Sequence, residues 1–410
     1  MQTNLAAWIR DTPQGREADA ILRKCVHCGF CTATCPTYQL LGDELDGPRG
    51  RIYLMKQMLE GAAITARTQL HLDRCLTCRN CETTCPSGVQ YGRLVDLGRG
   101  LVEERVGRPL LERATRRAVA TLFPRAGVFA ALLKLGQLVR PLAPPALREK
   151  LPAAVPSAGE WPTPRHPRTM VALAGCVQPA LAPDTNAAAA RVLDRLGISL
   201  VEARGAGCCG ALRFHLNLQE EGRDDMRRVI DAWWPYVEQG VEAFVMTATG
   251  CGATVREYGH HLRHDPRYAD RARRIGEMTK DLSEVIAAEI DPLVPLAAAR
   301  ERRKVAFQSP CSLQHWQKLG GVAEGVLARL GYELARVPDA HACCGSAGTY
   351  SLTQPELARR LKEQKLAALQ SALPEAILTA NVGCQTHLAG AAAVPVKHWI
   401  VDVEERLRAA

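Results

Sequence analysis

Sixteen cysteines occur in this chain of 410 residues, and half of them stand in two runs of one pattern. Residues 25–36 read CVHCGFCTATCP and residues 75–86 read CLTCRNCETTCP, each a C-x2-C-x2-C-x3-C-P sequence. Thiolates separated by two residues can reach three corners of one iron-sulfur cube. The fourth, set off by three residues and a proline, reaches the other cluster when two runs are paired. The spacing therefore predicts one 4Fe-4S cluster on Cys25, Cys28, Cys31 and Cys85, and a second on Cys75, Cys78, Cys81 and Cys35. Zinc sites usually show two separated C-x2-C pairs, and structural disulfides belong to oxidising compartments. Neither accounts for two runs of four with Pro36 and Pro86 in register. His27, inside the first run, reads as a surface residue or a donor that tunes the cluster rather than as a ligand.

The other eight cysteines expose a duplication. Cys176, Cys208, Cys209 and Cys251 recur as Cys311, Cys343, Cys344 and Cys384, at offsets of 135, 135, 135 and 133 residues. VLDRLG at 192–197 is echoed by VLARLG at 326–331, and Gly210 and Gly345 each follow an adjacent cysteine pair. A repeat of this length is a duplicated domain rather than a solenoid. Four cysteines per unit could hold an iron-sulfur centre or zinc, or form a redox-active disulfide; simple buried thiols do not explain recurring adjacent pairs with matched outlying partners. His387 stands three residues after Cys384 as a further candidate donor, where the first unit has Thr254, so the two sites are not identical.

Residues 205–210, GAGCCG, formally satisfy the G-x-G-x-x-G dinucleotide pattern. The second unit keeps only the cysteines and the last glycine, AHACCG, and no acid ends the following strand to hold a ribose. The duplicated chemistry is thiol chemistry, and no flavin or nicotinamide motif remains in the chain.

The elements that position these residues are of two kinds. Around the clustered runs, GRIYLMKQMLEG sets Ile52, Met55 and Leu59 near one face, and YGRLVDLGRGLVEER repeats a helical period. The duplicated units alternate strands and helices: TMVALAGC, SLVEARG and AFVMTATGC, then KVAFQSPC, YELARVP and AILTANVGC. Alternation of this kind predicts parallel sheets with the cysteines at the carboxyl ends of the strands, where open α/β sheets bind ligands. The fold class is thus multidomain, an N-terminal α-helical ferredoxin domain followed by two duplicated α/β Cys-Cys-Gly domains. The expected boundaries are 1–105 for the two-cluster domain, 106–165 for a basic helical segment and proline-rich connector, 166–300 for the first Cys-Cys-Gly unit and 301–410 for the second.

A hydrophobic fraction of 47% excludes a disordered chain. The first twenty residues lack the apolar core of a signal peptide, so a reducing cytoplasmic location is expected. The longest uncharged run, 376–396, contains Thr379, Asn381, Gln385, Thr386, His387 and Pro395 and reads as a buried strand leading into a site rather than a membrane span. The net charge of +9 selects no partner by itself. Residues 101–150 concentrate it, with ten Lys and Arg against Glu103, Glu104, Glu112 and Glu149 around VFAALLKLGQLV, and this segment is expected to face a membrane or a partner.

Taken together, the paired C-x2-C-x2-C-x3-C-P runs, GDELDGPRGRI after the first, the tandem Cys-Cys-Gly units and NVGCQTHL make the chain resemble the iron-sulfur subunits of bacterial glycolate oxidases over nearly its whole length. The wider group includes iron-sulfur subunits of anaerobic glycerol-3-phosphate dehydrogenase and heterodisulfide reductase. The resemblance implies a subunit working with FAD-bearing partner subunits that oxidise glycolate to glyoxylate, its electrons passing toward a membrane quinone. It implies a cytoplasmic protein, peripheral on the inner face of the membrane, with FAD in the partners only and no nucleic-acid partner. An iron-sulfur subunit for D-lactate or glycerol-3-phosphate oxidation, or a heterodisulfide-reductase-like thiol-disulfide reductase, are the alternatives. A zinc-stabilised nucleic-acid binder is suggested only by charge. The wider group ends each unit in C-x2-C; here Thr254 and His387 occupy that last position, so its noncubane cluster does not carry over directly.

Overall fold

Both cysteine runs open as irregular loops because the backbone turns left-handed at matching places, at His27 and Gly29 in the first and at Thr77 and Arg79 in the second. Such alternation curls a loop so that its N–H groups face inward. Each loop is followed by a short helix, Phe30–Ala33 or Asn80–Thr84. A computed structural model describes residues 1–144, 148–149 and 151–408. It divides into two compact units, one formed by Met1–Arg116 with His341–Leu361 and the other by Arg117–Ala340 with Lys362–Ala410.

The first unit is helical. Ile52, Met55, Met58 and Leu59 of the helix Pro48–Leu59 pack with Leu94, Val95 and Val102 of Tyr91–Arg105, and with Ile21, Leu22 and Leu72, in one core. Gly98 permits the close approach of these helices, since a Cβ there would lie 2.6 Å from Met55 Sδ. Cys25, Cys75 and Cys81 border the same core. Residues 341–361, which carry the second Cys-Cys-Gly sequence, belong to this unit: the Asn80 amide donates to His341 O at 3.3 Å, Tyr350 Oη to Arg74 O at 3.1 Å and Arg360 to Leu40 O at 3.0 Å.

The second unit contains two parallel four-stranded sheets of identical topology. Strands β1 (Arg168–Ala172), β2 (Ile198–Glu202), β3 (Ala243–Met246) and β4 (Thr279–Asp281) lie in the order β2-β1-β3-β4. Strands β5 (Arg303–Gln308), β6 (Tyr332–Leu334), β7 (Ala376–Thr379) and β8 (Val396–His398) lie in the order β6-β5-β7-β8. Met170 is opposite Leu200 and Ala243, and Val305 opposite Leu334 and Ala376. The strand pattern recovers three strands of each sheet; β4 and β8, of three residues each, are too short to show a period.

One continuous core joins the two sheets, including Met170, Leu200 and Val245 from the first and Val305, Phe307 and Leu378 from the second. Four consecutive buried alanines, Ala187 to Ala190, keep the helix Asp184–Arg195 thin enough to sit within that core, and its Arg191 pairs with Glu404 of the helix Trp399–Arg408 at 2.9 Å. His398 Nε2 donates to Thr247 O at 2.9 Å, which fixes the Nε2–H tautomer, while Nδ1 accepts from Ile400 N at 3.3 Å. Burial holds this imidazole down at about 4, so it is neutral near pH 7.

Candidate metal centres

Cys25, Cys28, Cys31 and Cys85 line one pocket, together with His27, Gly29, Phe30, Pro48, Arg49, Ile52 and, from the second run, Cys81. The last cysteine of the second run thus stands with the first three of the first run. Cys31 is pushed up to about 11 by burial, then by the neighbouring Cys25 and Cys85. Cys81 is raised well above the ordinary thiol range by burial, then by Cys78, Cys75 and Cys35. Cys85 of the second run thus stands near Cys25 and Cys31, and Cys35 of the first near Cys78 and Cys81 as well as Cys31. Thiols held neutral in this way release protons when a metal centre binds them as thiolates.

The two groups differ in exposure. Cys28 is exposed and Cys31 and Cys85 half-buried, whereas Cys35, Cys75, Cys78 and Cys81 are all buried. His27 is exposed, its ring 6.2 Å from that of Tyr53. Around Cys75 the structure places groups that spacing alone did not reveal. Tyr91 Oη lies 3.6 Å from Cys75 Sγ, Thr77 N donates to the same sulfur at 3.3 Å, and Arg99, also buried, donates to Thr77 Oγ1, Leu72 O and Cys75 O.

GDELDGPRGRI acquires a physical meaning here. Asp46 is fully buried and bonded by Arg51 at 3.4 Å, His71 Nδ1 at 3.0 Å and Arg74 at 2.8 Å. Arg51 also donates to His71 O and Thr37 Oγ1, and Thr37 Oγ1 lies 3.3 Å from Cys35 Sγ. Burial lowers the affinity of Arg51 for its proton, but Cys75, Tyr91, Cys35 and Asp46 outweigh this and keep it charged. Gly50 is required because a Cβ would lie 2.1 Å from Glu44 O. Asp43, Asp46 and His71 bring ligand atoms within 4.8 Å of one another, but Asp46 is already committed to this ion network, which braces the Cys35 and Cys75 loops.

In the first Cys-Cys-Gly unit the four cysteines converge as a chain of sulfur contacts: Cys176 to Cys208, Cys208 to Cys209, and Cys209 to Cys251. Cys208, accepting from Cys176 and Cys209, is held well below the ordinary thiol range, and the Gly210 N–H and Arg213 add to this against burial. Cys176 follows β1, the pair follows β2, and Cys251 lies in the first turn of the helix Thr249–Arg256 that follows β3. Tyr258 Oη donates to Cys209 O at 2.9 Å. None of the sixteen cysteines forms a disulfide. Thr254 spends its hydroxyl on Gly250 O at 3.1 Å.

Cys-Cys-Gly itself is a packing requirement. Gly210 and Gly345 have φ of 90° and 87°, and a Cβ would come within 2.5 Å of Gly222 O or 2.6 Å of Ala358 O. GAGCCG is therefore a tight turn into the five-residue helix Ala211–His215, not a nucleotide loop. The second unit's cysteines fall in different compact units, Cys343 and Cys344 in the first, Cys311 and Cys384 in the second. Cys78 is raised by burial and then by Cys343. Cys311 precedes a π-helical turn, Ser312–Trp316, of the kind common at functional sites. Cys384 is buried, with Asn381 Nδ2 at 3.6 Å, and His387 lies half-buried one turn further along the same helix, Val382–Ala389.

Residues 21–89 match the model of the 4Fe-4S dicluster domain, and residues 170–256 and 305–389 each match that of a cysteine-rich domain. The Glycolate oxidase iron-sulfur subunit of Escherichia coli K12 is 58% identical over 99% of both chains. The Probable glycolate oxidase iron-sulfur subunit of Bacillus subtilis 168 is 31% identical over 92% of this chain and 90% of its own. Lactate utilization protein A of Bacillus subtilis 168 is 25% identical over 50% of this chain and 83% of its own. Likeness across all three cysteine-bearing regions, at 58% identity from end to end, places the chain in the family of glycolate oxidase iron-sulfur subunits.

Proposed function

We propose that the chain is the electron-transfer subunit of a flavin-dependent glycolate oxidase, in which FAD in partner subunits oxidises glycolate at its CH–OH group and the electrons leave toward a membrane quinone. Cys25, Cys28, Cys31 and Cys85 ligate one 4Fe-4S cluster in this reading, and Cys75, Cys78, Cys81 and Cys35 the other. The observation that carries it is the entry of Cys85 into the cavity of Cys25, Cys28 and Cys31. Bound clusters of this type accept single electrons and so connect a two-electron donor to a one-electron chain.

The chain's own residues set the conditions for that transfer. Arg51 and Arg99 bring buried positive charge to the Cys75 loop, and Tyr91 Oη sits against its sulfur. Both favour an added electron there. Exposed Cys28 opens the other group to an external redox partner. Substrate choice lies with the partner subunits; the likeness to Lactate utilization protein A supports a second reading with lactate as substrate.

The test is glycolate oxidation by the anaerobically purified chain, alone and with its flavoprotein partners. Glyoxylate is expected only with the partners present, accompanied by reduction of both clusters in EPR spectra. Glyoxylate formation by the chain alone, or a complex whose clusters stay oxidised during turnover, overturns the reading.

A further inference from the structure

The helix Ala126–Val139 is apolar on both of its faces, an arrangement expected of a buried helix. One face is indeed covered: Leu133 is buried, Gly136 lies against Leu151, and Gln137 donates to Pro152 O at 3.2 Å. The other carries Val128, Leu132, Leu135, Leu138, Val139 and Leu142, all open to solvent among the described residues, with Leu135 58%, Leu138 78% and Leu142 90% exposed. Positions 128, 132, 135, 139 and 142 recur every three to four residues and so form one continuous stripe.

Charge identifies what covers it. From Arg113 to Arg148 the sequence has seven Arg and Lys and no Asp or Glu, although Arg116 and Arg117 pair with Glu112 and Glu221 outside this stretch. Arg125, just before the helix, and Lys134, beside the stripe, are exposed and have no carboxylate partner among the described residues. A protein partner pressed on this stripe would have to supply acids opposite Arg125 and Lys134. An anionic lipid surface supplies them together with an apolar layer beneath. Fourteen residues make about 21 Å of helix, short of the roughly 30 Å hydrocarbon core; among the described residues no single helix is long and apolar enough to cross a membrane, and the pair Leu110–Leu122 with Ala126–Leu142, apolar enough together, is bent by 115°. Such an element lies in the interface plane instead.

We propose that Ala126–Val139, continued to Leu142, is a monotopic docking element that seats its Val128-to-Leu142 stripe in the headgroup boundary of an anionic bilayer. Its purpose rests on the reading that electrons leave toward a membrane quinone; lipid binding itself is measured without any electron transfer. The experiment is flotation of the full cluster-loaded chain with vesicles of phosphatidylglycerol and phosphatidylcholine, and with phosphatidylcholine alone. Wild type is expected to float with the anionic vesicles. The double variant Leu135→Glu/Leu138→Glu should lose at least about tenfold in binding. Arg125→Glu/Lys134→Glu should lose affinity for the anionic vesicles only, iron content and EPR spectra staying unchanged in both. Wild type that fails to float, or variants that bind as wild type does, overturns the assignment. If Leu135→Glu/Leu138→Glu instead releases the flavoprotein partners while wild type ignores vesicles, the stripe is a subunit interface and the lipid assignment is wrong. Vesicle binding as expected, in a complex that does not reduce its clusters with glycolate, leaves this surface standing and removes the functional reading.

Discussion

Cys35 and Cys85 each sit in one run by sequence and beside the other run in space, which makes them the most diagnostic single residues in the chain. Cys85→Ser should disturb the cluster of Cys25, Cys28 and Cys31, and Cys35→Ser the cluster of Cys75, Cys78 and Cys81. EPR of the reduced, anaerobically purified variants reads this out, because the two cysteine groups differ in exposure and would give their clusters different electrostatic surroundings. Loss of the signal belonging to the mutated residue's own run would mean that the pairing is wrong. Gly210 and Gly345 are a second residue-scale case, since a methyl group at either meets a backbone carbonyl and forces L-residue strain at positive φ. Gly210→Ala should cost about 1–3 kcal/mol, seen as a lower denaturation midpoint, and Gly345→Ala should cost a similar amount in the first unit.

At the scale of elements, the short strands β4 and β8 end in buried titratable residues at equivalent places, Asp281 and His398. Asp281 caps the helix Leu282–Ala288 and is pushed up to about 6, chiefly by burial. His398 bonds Thr247 O and is pushed down to about 4. Their effects on stability oppose each other. As pH falls from the ordinary histidine value of 6.5 toward 4, the unfolded chain binds the proton that buried His398 refuses, so stability is lost. As pH falls through 6, folded Asp281 binds a proton before the unfolded chain does, so stability is gained. The His398 contribution is on the order of 3 kcal/mol when complete. His398→Gln should therefore shift the balance: between about pH 7.5 and about pH 5.5, amide protection in β7 and β8, corrected for the intrinsic exchange rate at each pH, should rise in the variant, while in wild type it changes little. Parallel pH profiles for the two proteins would show that His398 is not the titrating group.

For the whole molecule, the question is how many redox centres one chain holds. The two C-x2-C-x2-C-x3-C-P runs account for about eight irons. The sulfur chain Cys176, Cys208, Cys209 and Cys251 groups four soft donors, and the second set differs from it in having His387 where Thr254 stands. Iron above about eight per chain, reduced by Cys208→Ser/Cys209→Ser with both cubane signals intact, is the expected outcome of anaerobic iron and sulfide analysis. About eight irons, no zinc and freely titratable thiols at these positions would assign the duplicated cysteines another role.

Much of this organisation is local and hence legible without a structure. Metal spacing is a short-range property, because two intervening residues suffice to swing one thiolate to the next corner of a cluster; the runs at 25–36 and 75–86 declare themselves. The duplication is equally legible, since equal offsets between rare residues survive even where the surrounding sequence has drifted, and alternating strands and helices dictate parallel sheets. Tertiary structure decided what depends on distant residues meeting. Asp46 and Arg51 become the brace of two cysteine loops only when His71 and Arg74 fold over them, and Tyr91 and Arg99 reach Cys75 across helix turns that no motif records. The glycine after each cysteine pair is explained by Gly222 and Ala358, more than ten residues away in sequence. Nor could composition tell which apolar face of Ala126–Val139 would be covered and which left open to solvent, because burial is a property of neighbours, and neighbours are assigned by the fold.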